Sequence, residues 1–329
     1  MKTTFFKYCI FLAFVSFSCT ACDKEQTEQQ DSAIANVIFD TDMGSDCDDA
    51  GALALLHSYA DIKKVNILGV IYSSGKNKYG AGVCDAINTW YGRGDLPLGQ
   101  YKGDDVGDPN NNYSRQIAEN TTVFPHNIID SSDEMVEVYK RILREQPDSS
   151  VTVITVGHPH GLCYLMNDEE GMSLIKRKVQ KCISMTGTNT TPGDDWNFAQ
   201  AGVAPYISDI LDRLPVAHYF SGAGTSVLTG HRLLPNTPEN NPVREAYRLY
   251  GASLISGRPS WDQIAVLFAI KPELFEVDSV GSLVQNERNQ TYWDKNSDNP
   301  RHKKINPVIS DQELEKLIED RMSRSPLKK

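Results

Sequence analysis

Five aspartates fall within the ten residues Asp40-Thr41-Asp42-Met43-Gly44-Ser45-Asp46-Cys47-Asp48-Asp49. The apolar run Asn36 to Phe39 leads into them, and Ala50 to Ala60 follows with Ala, Leu and Tyr at helical spacing, so they occupy a strand-to-helix loop. Carboxylates this dense repel one another unless protons or a cation neutralise them, and hard divalent cations such as calcium select oxygen donors of this kind. Capping the helix that follows would use one or two of the five. An EF-hand is excluded: counting from Asp40, Ser45 stands where that loop needs Gly and Gly51 where it needs Glu.

The rest of the chain repeats the alternation. Val65 to Tyr72 is a second apolar run, Gly82 to Tyr91 has helical spacing, and Leu96 to Gly99 follows. Glu134 to Arg144 is an amphipathic helical pattern, and Val151 to Val156, Cys182 to Met185 and Val216 to Phe220 read as strands ahead of a helix at Asp262 to Ile270. Parallel strands need crossover connections, so the alternation predicts an α/β fold with a mostly parallel central sheet flanked by helices, a Rossmann-like open sheet. Ligands of such sheets bind beyond the carboxyl ends of the strands, where the acidic loop would sit. The polar stretch Lys102 to Thr122 is expected to be a lid or an insertion without a role.

Lys and Arg number 33 against 43 Asp and Glu, a net charge of -10, and the basic residues are scattered, which argues against a nucleic-acid partner. Lys2 and Lys7 precede an apolar stretch from Tyr8 to Phe17 that is too short to span a bilayer, the organisation of a signal peptide. Cys19-Thr20-Ala21-Cys22 resembles a bacterial lipobox with Cys22 as the lipidated residue. Cys19 stands where Leu is usual, so simple secretion stays open. The chain is thereby divided into a signal peptide at 1–22, a polar tether at 23–35 and one domain at 36–325, held at the cell envelope through lipid alone. Cys47, Cys84, Cys163 and Cys182, the cysteines beyond the export segment, match neither a zinc pattern nor a disulfide framework and are expected to pack as small apolar residues.

The acidic loop resembles the opening motif of the nucleoside hydrolases, Asp-x-Asp-Pro-Gly-x-Asp-Asp-Ala, in a longer form: Asp42, Gly44, Asp48, Asp49 and Ala50 match, and two residues are added around Asp46. The resemblance implies that Asp42 is calcium ligand and general base, Asp49 a calcium ligand, and Asp48 a contact to the ribose hydroxyls. Asn189-Thr190-Thr191-Pro192-Gly193-Asp194-Asp195-Trp196-Asn197 is similar in spacing to the family's Asn-x-Thr-Pro-x-x-Glu-Phe-Asn. That likeness implies that Asn189, Asp195 and Asn197 hold the sugar, with Asp195 one methylene shorter than the usual Glu. Ser260-Trp261-Asp262-Gln263 resembles the family's late His-Asp pair, making Asp262 a calcium ligand and putting Trp261 where many members carry the His that protonates a purine. Trp261 would then stack on the base or pack beside the pocket. The strand Val151 to Val156 is similar to the one whose last carbonyl, here that of Val156, meets calcium. His158-Pro159-His160-Gly161 departs from the family's loop there, and His158 and His160, read as surface histidines, are candidate acids for the leaving group. Ser74 to Asn77, Tyr219 to Gly230 and Asn241 to Tyr250 agree more loosely, with Asn77 reaching metal shell or ribose.

The function implied is calcium-dependent hydrolysis of an N-ribosyl bond for nutrient salvage, on a small-molecule ribosyl substrate. The rival of another class is a sugar- or nucleoside-binding lipoprotein that keeps the calcium site without turnover. A haloacid-dehalogenase phosphatase also fits Asp40-Thr41-Asp42, but its pattern needs Thr or Val at Gly44 and gives Asp46, Asp48 and Asp49 no role. A homo-oligomer stays possible.

Overall fold

The computed structural model describes Met1 and residues 34–327; the rest of the expected signal peptide, Cys22 and most of the expected tether lie outside the described residues. Ile34–Lys329 forms one compact unit. Its strands are β1 (Ala35–Thr41), β2 (Val65–Tyr72), β3 (Leu98–Gln100), β4 (Asp133–Glu134), β5 (Val151–Thr155), β6 (Val179–Met185), β7 (Ala217–Ser221), β8 (Leu228–Thr229), β9 (Arg258–Pro259), β10 (Phe275–Asp278), β11 (Ser282–Gln285), β12 (Thr291–Asp294) and β13 (His302–Pro307).

Nine of these build the central sheet in the order β10-β13-β7-β6-β5-β1-β2-β3-β4. Every neighbouring pair is parallel except β10 with β13. The mostly parallel sheet expected from the alternation is what the chain forms. β1 lies between β2 and β5, so successive strands are laid down on one side of β1 as far as β4 and on the other from β5 onward. That reversal opens a crevice at the carboxyl ends of β1 and β5, where α/β sheets of this kind receive ligands.

Side chains alternate across the sheet and separate two apolar cores. Val37 and Phe39 of β1 join one core with Val70 and Tyr72 of β2, while Ile38 and Ile71 point into the other. Helix Asp48–Asp61 is buried along nearly its whole length, as is helix Trp261–Ile270 packed beside it. Both are buried on nearly all faces, with the carboxylates of Asp48, Asp49 and Asp262 in their first turns. Helix Met135–Glu145 has the amphipathic pattern read from its sequence, with Val138, Tyr139, Ile142 and Leu143 inside.

The segment Lys102 to Thr122 is neither a free insertion nor an open lid. Val106, Tyr113, Ile117 and Ala118 are buried, and Asn112 Nδ2 donates to the carbonyls of Gly44 at 3.0 Å and Ser45 at 2.7 Å. Tyr113 Oη donates to the Asp46 carbonyl at 2.7 Å, so this stretch braces the acidic loop from outside. The four cysteines of the domain are buried free thiols. Among the described residues no helix is long and apolar enough to cross a membrane.

Candidate active site

The acidic loop leaves β1 at the crevice and turns through Gly44, whose φ of +111° is a conformation that L side chains rarely adopt. A second glycine lets the two strand ends approach. A Cβ on Gly157, just past β5, would stand 2.2 Å from the Asp42 nitrogen and 2.6 Å from the Thr41 carbonyl carbon. The helix that follows is not capped by an aspartate side chain: its N-cap is Cys47, and Asp46 Oδ1 instead accepts from the Asp48 nitrogen at 3.0 Å.

Asp42, Asp48, Asp49 and Asp262 are all buried. Oxygens of Asp46, Asp48 and Asp49 lie within 4.8 Å of one another. Asp262 arrives on the first turn of helix Trp261–Ile270 without capping it, and its backbone nitrogen donates to Asp48 Oδ2 at 3.4 Å. Burial pushes Asp42 up to about 6 despite hydrogen bonds from Trp196 and Ser45. Burial, and then repulsion from neighbouring aspartates, holds Asp48, Asp49 and Asp262 well above the usual carboxylate range.

Among the described residues a single cationic side chain meets this cluster. Arg258 Nη2 donates to Asp46 Oδ2 at 2.5 Å, and Nε stands 4.0 Å from Asp48 Oδ1. One guanidinium against Asp42, Asp46, Asp48, Asp49 and Asp262 leaves most of the carboxylate charge unbalanced, and buried Asp262 Oδ1 has no hydrogen-bond partner. A hard divalent cation fits this all-oxygen donor set.

The other residues named from the sequence divide by position. Trp261 is half-buried, its Nε1 donates to Thr225 Oγ1 at 3.0 Å, and its ring lies against the Arg258 guanidinium. The Val156 carbonyl accepts from Asn197 Nδ2 at 2.5 Å, while Asn197 Oδ1 has no partner. Asp195 spends one oxygen on the nitrogens of Asn197 and Phe198, at 3.0 and 2.9 Å, and the other on Gly187 at 2.7 Å. Asn189 is exposed, and its carbonyl accepts from Trp293 at 2.7 Å. Asn77 lies against Gly44, but its amide is engaged by Ser114 Oγ and the Asn110 carbonyl, and its oxygen by the Tyr79 nitrogen.

His158 and His160 are not surface residues: both are fully buried, because the turn after β5 drives into the crevice. His158 Nε2 lies 3.5 Å from Asp42 Oδ2, and burial holds its imidazole down to about 4. His160, held down to about 3 by burial, opens helix His160–Asn167 inside a cluster of Tyr101, Tyr164 and Tyr206. Burial keeps both rings neutral at pH 7.

Three contributors were not singled out from the sequence. Trp196 donates from Nε1 to Asp42 Oδ2 at 3.0 Å while 39% of its surface stays exposed; Trp where the motif has Phe adds this N–H. Arg258 precedes Trp261 by three residues, and nothing in its immediate sequence marks it. Asp40 is fully buried beneath the site, accepts from Tyr139 Oη at 2.6 Å, and is pushed up to about 7 by burial.

No protein-family model and no curated protein sequence matches the chain. Solved structures do. The inosine-uridine preferring nucleoside hydrolase of Bacillus anthracis matches with a TM-score of 0.69 at 14% identity, over 89% of this chain and 100% of that one. The purine-preferring ribonucleoside hydrolase of Gardnerella vaginalis matches with a TM-score of 0.65 at 16% identity, over 88% and 98%. The type III effector protein XopQ, solved with adenosine diphosphate ribose, matches with a TM-score of 0.61 at 10% identity, over 89% and 94%. The resemblance read from the acidic loop thus extends over most of the chain in three dimensions, and the protein has the nucleoside hydrolase fold.

Proposed function

We propose that the protein is an exported, lipid-anchored hydrolase of N-ribosyl compounds that depends on calcium. The observation that carries this reading is the meeting of Asp48, from the exit of β1, with Asp262, more than two hundred residues later, in a buried group where Asp49, Asp46 and Asp42 also repel Asp262 and which one arginine cannot neutralise.

Cleavage of a ribosyl C–N bond builds positive charge on the sugar ring, and buried carboxylates around the ring stabilise it. Asp42, Asp49, Asp262 and the Val156 carbonyl would hold the ion, which supplies a grip on ribose hydroxyls and on the attacking water. Asp42 accepts the water's proton, being both beside the ion and within reach of the water it would hold. Trp196 donates to Asp42 Oδ2 and so directs the other oxygen to the water. Asp48 takes a ribose hydroxyl, and the half-exposed ring of Trp261 offers a wall for a planar leaving group.

Ribose release from inosine or uridine with calcium present, set against Asp42→Asn, tests the reading; release by the parent alone is expected. A binding protein without turnover is favoured by one observation: Trp261, whose indole is no acid, stands where many family members carry the His that protonates the base. Tight nucleoside binding with no ribose released would select it.

A further inference from the structure

The leaving base must be stabilised as it takes the electron pair of the broken bond; His158 and His160 are held elsewhere, and His231, which packs on Gly257, faces Glu319 at 3.5 Å. His158 is buried against Asp42, where the water would be activated, and His160 is enclosed by tyrosines. Trp261 has its N–H turned to Thr225. Arg258 is the cation at that wall. Its guanidinium is fixed 5.0 Å from the ring centroid of Trp261 and 5.1 Å from that of Tyr250, and is anchored at one end by Asp46. Its side chain keeps 23% of its surface exposed, so it meets both the buried carboxylates and solvent.

Resting on the ribosyl-hydrolysis reading, we propose that Arg258 stabilises the leaving group electrostatically, so that the substrates of this site are ribosyl compounds whose base departs as an anion. The balance is as follows. The C1′–N bond breaks with its electron pair passing to the base nitrogen, the water oxygen bonds C1′, and the water proton goes to Asp42. The base leaves as an anion beside a permanent cation and takes its proton afterwards from solvent. Arginine is not an acid at neutral pH, so it contributes charge and N–H donors without transferring a proton. Two aromatic faces and Asp46 hold that charge in place before the reaction, the condition under which such stabilisation is largest. The two residues added around Asp46 give Arg258 its anchor.

A pair of substrates separates this role from a structural one. Uridine expels an anionic base, whereas nicotinamide riboside carries its charge on the base and expels a neutral one. For the calcium-loaded full domain, Arg258→Met is expected to lower the ratio of kcat/KM for uridine over nicotinamide riboside by roughly 100-fold, the scale seen when one preorganised donor is removed from an anion. Arg258→Lys, which keeps the charge without the planar stacking, is expected to recover about tenfold of it, and serves in place of Arg258→Met if thermal melting shows that variant unfolded. A fall of both substrates in equal proportion makes Arg258 a structural support and overturns the assignment. Failure of the parent to split either compound overturns the ribosyl-hydrolysis reading, and the assignment with it.

Discussion

Gly157→Ala carries a steric consequence that can be worked from the structure. The added methyl would stand 2.2 Å from the Asp42 nitrogen, 2.6 Å from the Thr41 carbonyl carbon and 2.7 Å from Ser73 Oγ, where ordinary contact begins at 3.4 Å. Two of these atoms are backbone, so the exits of β1 and β5 must part by about 1 Å, and overpacking of this kind costs about 1–3 kcal/mol. The same parting separates Asp42 from the Val156 carbonyl, and displacement by about 1 Å lowers turnover roughly 100-fold. Thermal unfolding, calcium titration calorimetry and ribose release, each against Gly193→Ala, form the assay; a Cβ at Gly193 meets nothing within 4 Å. Gly157→Ala should lose stability, calcium affinity and turnover together, and Gly193→Ala none of them. Parent-like melting and calcium affinity in Gly157→Ala would refute the claim that this close approach assembles the site.

Three further outcomes are expected. Asp262→Asn removes one repelling carboxylate, so the calcium-free protein melts higher while calcium affinity falls; opposite signs in chelator and in calcium, read by thermal melting, are the check. Trp196→Phe keeps a ring but removes the N–H to Asp42, costing about 1.4 kcal/mol, or roughly tenfold in kcat; an unchanged kcat contradicts the directing role. His302 is held by burial down to about 4 from an ordinary 6.5, so the unfolded chain binds more protons between those values and stability is lost as pH falls through that window. Relative to His302→Gln, the parent should lose roughly 2 kcal/mol between pH 7 and pH 5 in urea unfolding, and a constant difference refutes the buried neutral imidazole.

The fold was legible because its signals are local. β1, β2 and β5 are apolar runs of strand length, and the breaks between them are helical in spacing. The acidic loop stood out because five aspartates within ten residues have no other economical use. The depth of His158 and His160 was not legible: polar residues after a strand read as surface, and only the placement of β5 beside β1 turns that loop inward. The bracing stretch around Tyr113 looked idle for a similar reason, since its partners Gly44, Ser45 and Asp46 lie more than sixty residues earlier. Arg258 was hidden by the same distance: its carboxylate partners lie more than two hundred residues away, and a single arginine carries no pattern of its own.

The most direct test of the account is anomalous diffraction from crystals of the domain grown with millimolar calcium. One peak is predicted, at about 2.3–2.6 Å from oxygens of Asp42, Asp49 and Asp262 and from the Val156 carbonyl. No peak in the crevice, or a peak confined to Asp46 and Asp48 beside Arg258, would contradict it.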